Sequence, residues 1–157
     1  MATNSHGGLA YLACGVSNSI TFSKDGTTKT TVNTVSSGGS GGVAYLNGAT
    51  ATLSIDDTDF TSTTAASLGG AFYSLATGTT TVSINTVSFT TSTAPSGGVF
   101  YLIDSGAGNI QLTSTSLTTA ATSASGGSGG IFYCVFDSTS TTSKLTFTTT
   151  SISSSTA

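Results

Sequence analysis

A chain of 157 residues is long enough for one domain with a real core and short for two. Ser and Thr make up roughly 40% of it, far above ordinary usage. Charged residues are only 6%, the apolar fraction is 36%, and Arg and Glu are absent. So little charge excludes a disordered, solvating tail, and a net charge of −3 excludes the basic face that nucleic acid or an anionic membrane surface requires.

Thr and Ser are poor helix formers, so composition alone predicts an all-β protein. Residues 1–6 lack the basic region and apolar stretch of a signal peptide. They read as a mature or excised end, or as the start of a protein kept inside the cell. No run approaches the length of a transmembrane helix, and membrane insertion is not expected. No Asn begins an Asn-x-Ser/Thr sequon, while the many hydroxyls leave O-linked sugars open. His6, the single histidine, is expected in a corner contact or disorder rather than in a Ser–His–Asp set.

From residue 7 onward the chain repeats. Gly-Gly-apolar-(Ala/Phe)-Tyr occurs at 7–11, 41–45, 69–73, 97–101 and 129–133, at spacings of 34, 28, 28 and 32 residues. All five tyrosines fall in that one column. A second signature, an apolar pair at i and i+2 and another apolar residue five further on, follows each motif. Coil one offers Ile20 and Phe22, with Val32 completing the set if Lys24-Asp25-Gly26 is an inserted loop. The later sets read Leu53, Ile55, Phe60; then Val82, Ile84, Phe89; then Ile110, Leu112, Leu117; then Leu145, Phe147, Ile152. The i, i+2 pair marks a strand with one buried face. One such unit cannot bury its apolar side alone, whereas units stacked in register can.

The predicted fold is therefore all-β: a single-stranded parallel β-helix (β-solenoid) of about five coils of 28–34 residues, one domain over 1–157. Its coils start near Gly7, Gly41, Gly69, Gly97 and Gly129. At about 4.8 Å per coil the rod is roughly 24 Å long. Gly-Gly suits a tight corner, and Gly38-Gly39-Ser40 and Gly126-Gly127-Ser128 are expected to lengthen that corner in two coils.

The Gly-Gly-x-x-Tyr corner followed by a strand ending in Phe resembles the short repeats of polymorphic outer membrane proteins and of surface proteins of unicellular eukaryotes. That resemblance implies a right-handed parallel β-helix in adhesins or surface layers, extracellular or at the cell surface. It brings no catalytic residues, and the Asn usual in the second strand region is matched clearly only by Asn85.

After each Gly-Gly the apolar residues are consecutive, as in Val99-Phe100-Tyr101-Leu102-Ile103. One set must face inward and the other outward. The five tyrosines, Tyr11, Tyr45, Tyr73, Tyr101 and Tyr133, are expected as a core or stacked column, and Phe72, Phe100 and Phe132, or else the tyrosine column, as the candidate association face. The ends show no capping helix or proline, so unpaired strands are open to other chains. The 11 residues that would join Ile152 to the Gly7 of another copy equal the 11 between Leu117 and Gly129. Both features point to a piece of a longer array or to copies stacking head to tail.

Three readings of function follow. The first is a non-enzymatic structural or adhesive module that associates with itself. The second is a Thr-face binder of ice or glycan, using Thr113 and Thr115 with Thr146 and Thr148, although coil two offers Ser54 and Asp56 there. The third is a carbohydrate-active enzyme, which needs converging carboxylates beyond what Asp25 and Asp104 can add. The cluster Asp56, Asp57, Asp59 is a weak candidate for Ca²⁺ and otherwise a solvated corner. No cofactor is expected. Cys14 and Cys134 lie four coil steps apart, about 19 Å, too far for a disulfide within the chain.

Overall fold

The computed structural model describes residues 6–13, 15–106, 108–137, 139 and 142–157. Every regular element among them is a strand, and the named strands pair in parallel. One sheet has five strands: β1 (Ala10–Ala13), β5 (Ala44–Gly48), β8 (Phe72–Ala76), β11 (Phe100–Asp104) and β13 (Phe132–Val135). They stack in that order and place Tyr11, Tyr45, Tyr73, Tyr101 and Tyr133 in one register column. The remaining strands form the other sheet, which bends around the rest of each coil. They are β2 (Asn18–Phe22), β3 (Thr30–Val32), β4 (Val35–Ser37), β6 (Ala51–Phe60), β7 (Thr63–Ala65), β9 (Thr80–Phe89), β10 (Ser92–Ser96), β12 (Ile110–Ser128) and β14 (Lys144–Thr156). The chain is a β-solenoid of about five turns.

The two glycines of each motif do different work. The first has φ between 61° and 68° in the four later coils, a conformation costly for any residue with a Cβ. The second lies against the coil beyond it: a Cβ on Gly70 would sit 2.1 Å from the carbonyl oxygen of Gly98. Ladder hydrogen bonds thus run through the corner, as Gly69 N to Ser96 O at 2.9 Å and Gly70 N to Gly97 O at 3.0 Å show. The other bends use left-handed residues inside continuous strands, with φ 42° at Asp57, 53° at Thr86 directly beneath it, and 44° at Ala121.

The core lies between the two sheets. Phe60, Phe72, Phe89, Phe100, Leu46, Leu53, Ile55, Ile84 and Leu102 are each no more than 2% exposed. Phe72 and Phe100 stack at 5.4 Å, Phe60 and Phe89 at 4.8 Å, and the two columns meet edge to face, Phe60 against Phe72 at 5.4 Å. The inward faces of β8 and β11 therefore carry phenylalanine and the outward faces tyrosine. Phe72, Phe100 and Phe132 are therefore not the outward association face, while the expected stack of tyrosines forms, on the outside. Phe72 and Phe100 are core residues, and Phe132 is packed against the core from the last coil. Period two permits only one of two neighbours to point inward, and the tyrosines keep their hydroxyls in water by being the outer set.

Register corrects three further expectations. In coil four the partners of Val82, Ile84 and Phe89 are Leu112, Ser114 and Thr119, not Ile110, Leu112 and Leu117. Phe100 and Ile110 lie in that layer, where coil two has Ala44 and Ala51 in the same columns. The smaller Ser114 and Thr119 accompany Leu102 and Ile110 in this layer, whereas coil three, with Ser74 and Thr80 in those two columns, keeps Phe72, Ile84 and Phe89 together. Thr119 therefore ends the comparable strand, leaving nine residues before Gly129, so the equality of eleven at the chain ends disappears. Gly38-Gly39-Ser40 is not an insertion either, since it matches the length of Ala66-Ser67-Leu68. The extra residues of coil one lie at 23–29, where seven residues stand in the place of Asp56 and Asp57. This loop contains the expected Lys24-Asp25-Gly26 turn, closed by an antiparallel Asp25–Thr28 bridge, and Val32 aligns with Phe60.

If the second glycine is required for coil contact, Gly70→Ala lowers stability by about 1–3 kcal/mol. Gly15→Ala, where an added Cβ meets nothing within 4 Å, is the neutral control. Urea unfolding followed by circular dichroism checks this, and equal midpoints for the two variants would contradict the packing account.

Candidate functional site

Four surfaces could carry function. The first is the outer face of the five-stranded sheet. Neighbouring tyrosine rings stack along the rod at 5.0, 4.7, 5.7 and 4.6 Å, with planes within 24° of parallel. In-register parallel pairing puts identical rings one coil step apart, a spacing suited to stacking. Tyr11 at the first coil is 54% exposed and Tyr73 at the centre is 7% exposed, so the rings largely shield one another. His6 joins this stack, 4.6 Å from the Tyr45 ring, while its Nδ1 accepts a hydrogen bond from the Ser40 amide at 2.9 Å. The expected corner contact of His6 is thus present. Burial, then the neighbouring phenols of Tyr45 and Tyr101, pushes the Tyr73 hydroxyl up to about 12. The next outward column holds Leu75, Ile103 and Val135, each half-buried.

The acidic corner is the second surface. Lys24 Nζ lies 2.8 Å from Asp57 Oδ2, and Lys29 Nζ lies 2.7 Å from Asp59 Oδ1. Asn85 Nδ2 donates to Asp56 Oδ1 at 2.6 Å, and the Ser88 hydroxyl donates to Asp59. Each carboxylate expected as a weak Ca²⁺ ligand therefore has its own partner from an adjacent coil. Among the described residues no three His, Cys, Asp or Glu side chains gather where they could hold a metal ion. The corner is a solvated, charge-paired turn. Burial favours the protonated Asp59 carboxyl, but hydrogen bonds from Lys29 and Ser88 and the Lys29 charge outweigh it and hold the group below its usual range. Sequence reasoning missed both lysines; the signal is the insertion at 23–29, which with Thr30 beside Thr58 and Thr31 beside Asp59 carries Lys24 and Lys29 next to the acidic corner.

The third surface is the outer face of β6, β9, β12 and β14. Ser54, Ser83, Thr113 and Thr146 form one register column there. The paired Thr-x-Thr steps are confined to β12 and β14, with Asp56 and Asn85 in the flanking column of the earlier coils. A shallow cavity of about 370 Å³ runs over this face, lined by Ser54, Asp56, Ser83, Asn85, Thr113 and Thr115, with Ile55 and Ile84 below. Asp104 stands apart on the other sheet, buried, its Oδ1 accepting from the Gly106 amide at 3.1 Å, and Asp25 sits in the inserted loop. Asp104 therefore does not join Asp56, Asp57 and Asp59 in one groove.

The ends are the fourth. Leu9 is 59% exposed, whereas Val43, Ala71 and Val99 in the same motif position are fully buried. At the other end Phe147 and Ile152 are 41% and 55% exposed, and they line an apolar cavity of about 300 Å³ with Phe132 and Thr150. Cys134, on the last coil, is a free thiol whose pKa burial pushes up to about 11. Cys14 lies outside the described residues. No described helix is long and apolar enough to cross a membrane.

Compared with known proteins, the chain matches no family model, no curated protein and no solved structure.

Two outcomes follow from these geometries. Asp59→Asn changes stability at neutral pH by no more than about 1 kcal/mol, since both ion pairs are exposed. Because the folded carboxyl is depressed, its contribution is present above the ordinary Asp range and lost as pH falls through the folded value, so the variant flattens the acid limb of a stability–pH profile. Adding Ca²⁺ or EDTA leaves Tm unchanged, and a Ca²⁺-dependent rise of several degrees would restore the metal reading. At the alkaline end, absorbance at a phenolate wavelength should show one tyrosine ionising only near pH 12, absent from Tyr73→Phe. Its neutral form is favoured by folding, so that stabilisation is complete below the ordinary phenol pKa and is lost as pH rises toward 12. Ionisation of all five tyrosines in the ordinary range would contradict the shielding.

Proposed function

We propose that this chain is a non-enzymatic structural protein, a building block of an extracellular fibre or surface layer that associates with copies of itself. The observation that carries this reading is the pair of uncovered ends, where core columns continue to the last coil and emerge as exposed Leu9, Phe147 and Ile152. Apolar side chains in contiguous patches of this kind are the usual mark of an interaction surface. Unpaired parallel strands at the same ends add a template for further coils. The half-buried tyrosine and aliphatic columns on the five-stranded sheet offer a second, lateral contact. The surface setting rests on the resemblance to adhesin repeats.

A second reading is favoured by the polar depression over Ser54, Asp56, Ser83, Asn85, Thr113 and Thr115. Hydroxyl, carboxylate and carboxamide groups in two register columns suit a polyhydroxylated ligand such as a glycan. The irregular mix of Ser, Asp and Asn with Thr suits an ice lattice less well.

Negative-stain electron microscopy with sedimentation across a concentration series tests self-association. The expected result is particles that lengthen with concentration in steps of roughly 24 Å and respond weakly to salt, because the contact is apolar. Uniform monomers at high concentration would leave the glycan reading standing, to be tested on a glycan array.

A further inference from the structure

We infer that copies of this chain join head to tail in a single register, coil five of one seated on coil one of the next, so that the tyrosine column runs unbroken across the junction. The inference rests on the self-association proposed above and names its interface. The contact between coils inside the chain is the same parallel step made four times, from Tyr11 to Tyr45, Tyr73, Tyr101 and Tyr133. A fifth identical step places β13 of one copy on β1 of the next and β14 on β2.

In that register the large apolar side chains at the end of coil five meet apolar counterparts, while the inward column of Thr58, Val87 and Leu117 brings Thr150 onto Thr30. Phe132 falls on the small Ala10, Phe147 on Phe22, and Ile152 on Val32. The Phe147–Phe22 step repeats the arrangement of Phe60 on Phe89, stacked at 4.8 Å. The apolar cavity at the end of coil five, lined by Phe132, Phe147 and Ile152, is closed by this contact. Leu9 receives the cover that Val43 and Val99 receive within the chain.

Charge does not oppose the junction. Lys144 on β14 continues the column of Gln111, Thr81, Thr52 and Ser19, so it meets a serine across the junction. Lys24 and Lys29 are already paired with Asp57 and Asp59 on coil two. A whole coil of 28–34 residues presents about as many residues as the 20–30 that each side of a stable interface supplies. Contacts between two like ends would oppose the strands and break every column, whereas a head-to-tail contact is heterologous and extends into a filament.

Two variants test this: Leu9→Lys blocks one end and Ile152→Lys the other. Both side chains are more than half exposed, so the fold should survive, and circular dichroism checks it. Should either lysine disturb folding, Leu9→Ser and Ile152→Ser serve in the same scheme. Sedimentation velocity is run on the wild-type chain, on each variant alone, and on their equimolar mixture. Each variant alone is expected to lose self-association by at least about tenfold, from a lysine left unpaired in an apolar contact. The mixture is expected to form a dimer of one copy of each and nothing longer, because one intact end of each kind remains. Dimers from a single variant would overturn the inference in favour of contacts between like ends. Wild-type assembly retained by both would overturn it in favour of the lateral tyrosine face, with self-association still standing. A wild-type chain that is monomeric throughout would remove both, and would leave further coils of the same kind within one chain as the cover of these ends.

Discussion

Everything in this molecule depends on parallel, in-register contact between coils one strand spacing apart. At that distance, about 4.8 Å, a residue's nearest neighbours are its own counterparts above and below. Stacked phenol and phenyl rings gain from such repetition, and stacked hydroxyls tolerate it. Stacked charges of one sign do not. This accounts for a chain with 6% charged residues and for the treatment of its one acidic corner. Asp56 is followed in its column by Asn85 rather than another acid, while Asp57 and Asp59 face lysines of the inserted loop. The Gly-Gly corner serves the same contact, since a side chain on its second glycine would push neighbouring coils apart.

Residue size changes along the core columns from coil to coil. Coils one and two carry alanine at the head of the first strand, Ala10 and Ala44, and aromatic residues at Phe22 and Phe60. Coil four carries Phe100 and Ile110 and has Ser114 and Thr119 opposite. Among the described residues the hydroxyls of Ser114 and Thr119 are buried without a hydrogen-bond partner. Leaving such groups unpaired costs on the order of 1–3 kcal/mol each. Among the described residues, coil four holds most groups of this kind, Asp104 and Thr122 included.

The same repetition that builds the core leaves it open at both ends. An interior coil buries its apolar columns against two neighbours, and a terminal coil against one. Leu9, Phe147 and Ile152 are exposed for that reason and not through any local irregularity. The tyrosine face differs, since its rings cover one another sideways and need no partner to become half-buried. Of the two surfaces the ends are therefore the less covered.

The architecture was legible in the sequence because a repeat of this length has one economical solution. Five Gly-Gly-x-x-Tyr motifs with period-two apolar pairs determined an all-β stack, the number of coils and the columns in which the tyrosines lie. Which face of the first strand is the core was not legible. Phe100 and Tyr101 are adjacent and both aromatic, and only the curvature of the coil decides which side is inside. The register of coil four was hidden for a related reason. Leu117 is the last large apolar residue of that repeat, yet the position opposite Phe89 belongs to Thr119. Periodicity determines that a strand has two faces; the packing of neighbouring layers decides which side chains each face can hold.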